Sequence, residues 1–86
     1  IKDNDQIRVY PIPTRSIATI EYILDESKEY SLSITDALGR IVYINTINGS
    51  VNSKEIDMSL WRDGIYYYHI TDNESEFYNG KISLVK

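Results

Sequence analysis

Apolar and polar residues alternate one by one along much of this chain, in runs too short to suit anything but β-strands. Tyr30, Leu32 and Ile34 alternate with Ser31, Ser33 and Thr35. Ala18, Ile20, Tyr22 and Leu24 alternate with Thr19, Glu21 and Ile23. A period of two puts one set of side chains on a core and the other in water. Further runs cover Ile7 to Tyr10, Arg40 to Ile47, Val51 to Met58, Ile65 to Thr71 and Phe77 to Val85, which makes about seven strands. The eight tyrosines and the many Ile and Val residues favour strands over helices. No stretch of about 10 residues carries a helical period.

The breaks between runs are equally informative. Pro11 and Pro13 close the first strand, because proline has no N–H for a ladder and holds Tyr10 and Ile12 extended. Asp25, Glu26, Ser27 and Lys28 read as a polar turn, as do Asp72, Asn73 and Glu74. Asn48-Gly49 reads as a hairpin turn, since both residues tolerate positive φ. Gly64 marks the start of the sixth strand. In Asp36-Ala37-Leu38-Gly39, Asp36 suits the first position of a type I turn. Gly39 suits the left-handed position that follows, with a bulge before Arg40. Leu38 is expected to fold back over the end of the core, or else to belong to a surface that something reads. Short strands with turns at this spacing predict an all-β, antiparallel, immunoglobulin-like sandwich of Greek-key type. In such sandwiches a Tyr near a strand start turns its hydroxyl back to upstream backbone, and Tyr66 is placed to do so. Tyr66, Tyr68 and Ile70 then share one face, and Ile65, Tyr67 and His69 the other.

Size and charge narrow the function classes. Eighty-six residues make one domain with one modest core. There is no cysteine, so sheet and core alone must hold it. The net charge is -4, and the nine basic residues form no stripe, which argues against nucleic acid and anionic membranes as partners. No apolar run approaches the roughly 18 residues that span a bilayer. The sequence starts at Ile1 without Met and without a signal peptide, so a fragment of a longer protein is expected.

Chemistry is sparse. His69 is the single histidine; with no cysteine it cannot build a usual structural zinc site, and in a strand it reads as a half-exposed sheet residue. Asp3-Asn4-Asp5 and Asp72-Asn73-Glu74 lack the ligand spacing of a calcium loop and read as solvated turns. Tyr67, Tyr43 or Trp61 could form an aromatic platform for a sugar, against the plainer reading of tyrosine as a strand residue with a wet hydroxyl. Asn48-Gly49-Ser50 and Asn73-Glu74-Ser75 match the glycosylation sequon but lie where turns place Asn anyway. No catalytic residue, metal site or cofactor is expected.

Four blocks, in order, carry a resemblance. The first is Val9-Tyr10-Pro11-Ile12-Pro13, followed by Ala18-Thr19-Ile20-Glu21-Tyr22. The second is Asp36-Ala37-Leu38-Gly39-Arg40, and the third runs from Met58 through Trp61 and Gly64 to Tyr66. The fourth is Gly80-Lys81-Ile82-Ser83-Leu84-Val85-Lys86. Together they resemble the type A C-terminal sorting domain of the type IX (Por) secretion system, found on exported proteins of Bacteroidetes. Two positions depart from that pattern. Ile12 stands where the family usually has Asn, and Trp61 is bulkier than the usual Leu, which suggests a larger corner pocket.

The resemblance implies a transport address and not an enzyme. Such a domain follows a cargo that enters the periplasm, is recognised by the secretion machinery, and directs the cargo across the outer membrane to the surface or the medium. A surface sortase typically cuts just ahead of it, and cargo is often joined to lipopolysaccharide. Residues 1–6 then correspond to the linker from an upstream cargo and residues 7–86 to the sorting domain. The implied partners are the translocon, the sortase and the cargo, with the domain itself a monomer. Lys81 to Lys86 form a candidate edge or terminal handle for a partner strand. Leu38 belongs to a candidate recognition surface. The motif residues with a structural or recognition role are Tyr10, Pro11, Pro13, Asp36, Leu38, Gly39, Arg40, Trp61, Gly64, Tyr66, Gly80, Lys81, Leu84, Val85 and Lys86. A carbohydrate-binding module and an immunoglobulin-like spacer or adhesion domain are the competing readings.

Overall fold

The computed structural model describes residues 7–49, 52–72 and 77–86. Seven strands follow one another: β1 (Ile7–Tyr10), β2 (Ile17–Tyr22), β3 (Glu29–Thr35), β4 (Ile41–Asn48), β5 (Ser53–Asp57), β6 (Gly64–Thr71) and β7 (Phe77–Leu84). They form a three-stranded sheet, β1-β2-β5, and a four-stranded sheet, β4-β3-β6-β7. Every strand pair is antiparallel. The sandwich anticipated from the alternation is therefore present, and strand limits shift by only a few residues.

The alternation sets which side chains meet. Ala18, Ile20 and Tyr22 of β2 are buried with Tyr30, Leu32 and Ile34 of β3. Ile56, Met58, Ile82 and Leu84 complete the layer between the sheets. Each such aliphatic side chain contributes about 1.5–3 kcal/mol by leaving water. On β6, Tyr66, Tyr68 and Ile70 point inward while Ile65 and Tyr67 are exposed and His69 is half-buried. Burial raises the pKa of the Tyr68 phenol.

One turn differs from its sequence reading. Asn48-Gly49 does not close a hairpin: β4 lies in the four-stranded sheet and β5 in the other, so the connection changes sheets. Positive φ occurs at Gly39 and Gly64 among the described glycines, not at Gly49. Gly49 is instead needed for space. Its N–H donates to Lys28 O at 3.1 Å, and a Cβ there would lie 1.9 Å from Asp25 O. The polar turn at Asp25–Lys28 is as expected, with Lys28 N–H donating to Asp25 O at 3.1 Å. Ser27 donates its N–H to Asp25 Oδ1 at 2.9 Å and its hydroxyl to the same oxygen at 2.6 Å. The Asp3-Asn4-Asp5 cluster, the Asn73-Glu74-Ser75 sequon and Ser50 lie outside the described residues.

The segment after β1 ties the two sheets together. Both Tyr10-Pro11 and Ile12-Pro13 are cis. Thr14, fully buried, forms a parallel bridge with Leu84. Its N–H donates to Ser83 O at 2.8 Å, and its carbonyl accepts from Val85 N–H at 2.9 Å. Its hydroxyl donates to Ile17 O at 2.7 Å, so this buried polar side chain is satisfied. The chain from the first sheet thus occupies the outer edge of β7 at its far end.

Candidate functional site

Two loops meet at one end of the sandwich: the β3–β4 turn and the Met58–Gly64 loop. The turn is built by Asp36. Gly39 N–H donates to Asp36 O at 3.0 Å, and Asp36 N–H donates to Arg40 O at 2.9 Å. The Asp36 carboxylate accepts from Leu38 N–H at 2.9 Å and Arg40 N–H at 3.0 Å, both at Oδ1. Arg40 Nε donates to Asp36 Oδ2 at 2.8 Å. The Arg40 amide and its companions favour the ionised form and lower the Asp36 pKa. Gly39 has φ +87°, the left-handed conformation that costs other residues most. A second irregularity follows, where Thr35 pairs with Ile41 but Ile34 with Tyr43, leaving Val42 unpaired in the ladder.

The facing loop is fixed from several sides. Tyr66 folds back, its hydroxyl donating to Arg62 O at 2.6 Å, which is the corner anticipated from the sequence. Trp61 packs on that ring, with centroids 5.2 Å apart, so the bulk at this position fills the corner. Trp61 N–H donates to Met58 O at 3.0 Å. Lys86 then closes the loop: its N–H donates to Asp63 Oδ2 at 3.2 Å, and its ammonium donates to Ser59 O at 2.7 Å and also to Trp61 O.

Between the turn and the loop lies a shallow groove of about 340 Å³. Leu38, Val42, Trp61 and Ile65 form its apolar lining, with Arg40 and Arg62 at its margins. Leu38 is 80% exposed, so it does not fold back over the core. The turn bonds that hold the backbone of Asp36, Leu38 and Arg40 project the side chain outward. Leu60, at the tip of the opposite loop, is 95% exposed. The sequence reading passed over Leu60; an apolar residue between two turn residues, Ser59 and Trp61, was the signal available.

Of the motif residues, Asp36, Leu38, Gly39, Arg40, Trp61, Gly64, Tyr66 and Lys86 converge on this end. Leu84 pairs with Gly64 and is buried, and Val85 is exposed beside it. Tyr10, Pro11 and Pro13 lie apart from the groove; Tyr10 donates its hydroxyl to Glu21 Oε2 at 2.8 Å. Pro11 and Pro13 line a separate shallow depression together with Thr14. Gly80 and Lys81 sit in mid-β7, beside Tyr67 and His69. The last strand is an edge strand as expected, but the main-chain groups of Ser83 and Val85 are already taken by Thr14.

Tyr43 pairs with the buried Ile34 and packs on the core, whereas Tyr67 faces outward and Trp61 sits in the corner. His69 Nε2 lies 3.1 Å from Thr35 Oγ1 and its ring stacks on Phe77. Among the described residues no cluster of His, Cys, Asp or Glu could hold a metal ion, and no helix is long and apolar enough to cross a membrane.

Comparisons with known proteins agree with this geometry. Comparison with curated proteins found no match. Among solved structures the chain is similar to a DUF3244 family protein from Bacteroides vulgatus with an immunoglobulin-like β-sandwich fold. The two are 22% identical, with a TM-score of 0.74, over 92% of this chain and 84% of the other. That likeness establishes the fold. The family of secretion system C-terminal sorting domains matches residues 8–84, nearly every described strand included. The chain therefore belongs to the C-terminal sorting domains of type IX secretion.

Proposed function

We propose that this domain is the non-catalytic transport address of a cargo joined ahead of residue 7, and that the machinery reads it at the Leu38–Trp61 end. The observation that carries this reading is the exposure of Leu38 on a rigid, hydrogen-bonded turn. A leucine at 80% exposure gives up hydrophobic stabilisation that an inward side chain would gain. Leu60, in the facing loop beside Trp61, is exposed as well. The groove is framed by backbone turns, and Lys86 ties down the loop on one side of it, features that do not depend on which cargo precedes them. Residues 1–6 serve as the linker where a surface sortase cuts, and the passage runs through the periplasm to the cell surface or the medium.

The test fuses residues 1–86 behind a signal peptide and a fluorescent reporter in a bacterium with a type IX system. Surface or medium fluorescence is expected for the unmodified domain. Leu38→Ser is expected to hold the reporter in the periplasm while circular dichroism of the purified domain stays unchanged. Deleting Leu84, Val85 and Lys86 is expected to block export as well. Periplasmic retention of the unmodified fusion overturns the address; normal export of Leu38→Ser overturns the role of this end.

A further inference from the structure

The sandwich has four edge strands, and three are guarded. β1 carries Arg8 and runs into Pro11; β5 carries Lys54, Glu55 and Asp57; β7 carries Lys81 and is occupied at its end by Thr14. Charges, prolines and covering segments are how natural sheets keep foreign strands away. Among the described residues β4 has none of these. Its eight residues, Ile41–Asn48, include no charge, no proline and no glycine.

The register shows which backbone groups face outward. Gly49 N–H donates to Lys28 O, one step beyond the Glu29–Asn48 pair. Bonded pairs alternate along an antiparallel ladder, so Tyr30–Ile47, Leu32–Asn45 and Ile34–Tyr43 are the bonded ones. Ile44 and Thr46 therefore direct their N–H and C=O groups to the open edge. Thr46 bears this out: its N–H is taken by the neighbouring Asn45 Oδ1 at 2.9 Å, an exposed local bond that a strand can replace. The side chains along this edge are uncharged, and Ile41 and Ile44 are both exposed.

We propose that β4 is a self-pairing edge, and that its occupant is a second copy of this chain. Antiparallel pairing about a two-fold axis at Asn45 sets Ile44 of each copy against Thr46 of the other, and the pairs exchange main-chain hydrogen bonds. The two four-stranded sheets become one continuous sheet. Charge favours this occupant. In an isologous pairing a strand meets its own residues, so a charged edge opposes like charges. β4 alone among the four edges has no such residue, and it offers no charge by which a different strand would be selected. This departs from the monomer expected of the sequence.

Sedimentation velocity of the 86-residue chain tests the proposal. Twice the monomer mass is expected as concentration rises into the millimolar range. The two Thr46 side chains lie diagonally on the same sheet face, about 7–8 Å apart and within reach of long side chains. Thr46→Lys and Thr46→Glu are each expected to be monomeric, and their equal mixture to restore the dimer. Hydrogen exchange on the unmodified chain is the second measurement: protection of the Ile44 and Thr46 amides should increase with concentration. A monomer at millimolar concentration, a Thr46→Lys chain that dimerises fully, or an unrestored mixture overturns the proposal. So does exchange at Ile44 and Thr46 that ignores concentration.

Discussion

Gly80 lies so close to the ring of Tyr68 that a Cβ on it would fall 2.4 Å from Tyr68 Cε2. The two residues are direct cross-strand partners in β6 and β7. The glycine makes room for a phenol that belongs to the core.

Gly80→Ala is therefore expected to destabilise the domain by about 1–3 kcal/mol through overpacking. Tyr68→Leu should relieve most of that penalty. Urea denaturation of both single variants and the double variant measures the coupling, which should be well above the roughly 0.5 kcal/mol error of additivity. Additive single effects would mean the ring moves aside freely.

The Asp36 turn is expected to loosen in acid. Its folded pKa lies below the usual carboxylate value of about 3.9, so its contribution is complete above that value. It is lost as pH falls through the lowered folded pKa. Amide shifts of Leu38, Gly39 and Arg40 followed by NMR should titrate together below about pH 4. Asp36→Asn keeps an acceptor for the amides but loses the ion pair with Arg40, and should abolish that titration.

Tyr66→Phe removes the bond to Arg62 O and leaves the ring packed on Trp61. The expected cost is about 1–2 kcal/mol, or several degrees in Tm for a domain of this size. Trp61 is the single tryptophan, so its emission reports on the corner directly. An unchanged Tm would show that Arg62 O finds water at no cost.

The strands were legible because a sandwich strand has one wet and one dry face, and that contrast is written residue by residue. Tyr66 and the Asp36 turn were legible for a related reason: both are satisfied within a few residues of themselves. Asn48-Gly49 misled because a turn dipeptide encodes a local bend, while the sheet that the next strand joins is decided by packing far away. Leu38 stayed open between core and surface because hydrophobicity says nothing about direction; the backbone bonds around Asp36 decide that. Thr14 was invisible for the opposite reason. Its partners, Ser83 and Val85, lie near the other end of the sequence, and nothing near Thr14 signals them. Lys86 is similar: its chemistry is plain, but the carbonyls of Ser59 and Trp61 come together only after the loop has closed.

The clasp at Thr14 has a consequence for timing. Ser83 O and Val85 N–H gain these partners only when the connection between the first two strands is in place, because that connection supplies Thr14. The β1–β2 connection and the end of β7 are thus completed together. Any receptor that engages the last strand in its folded form inspects the whole domain at once, and an unfinished chain offers it nothing to hold.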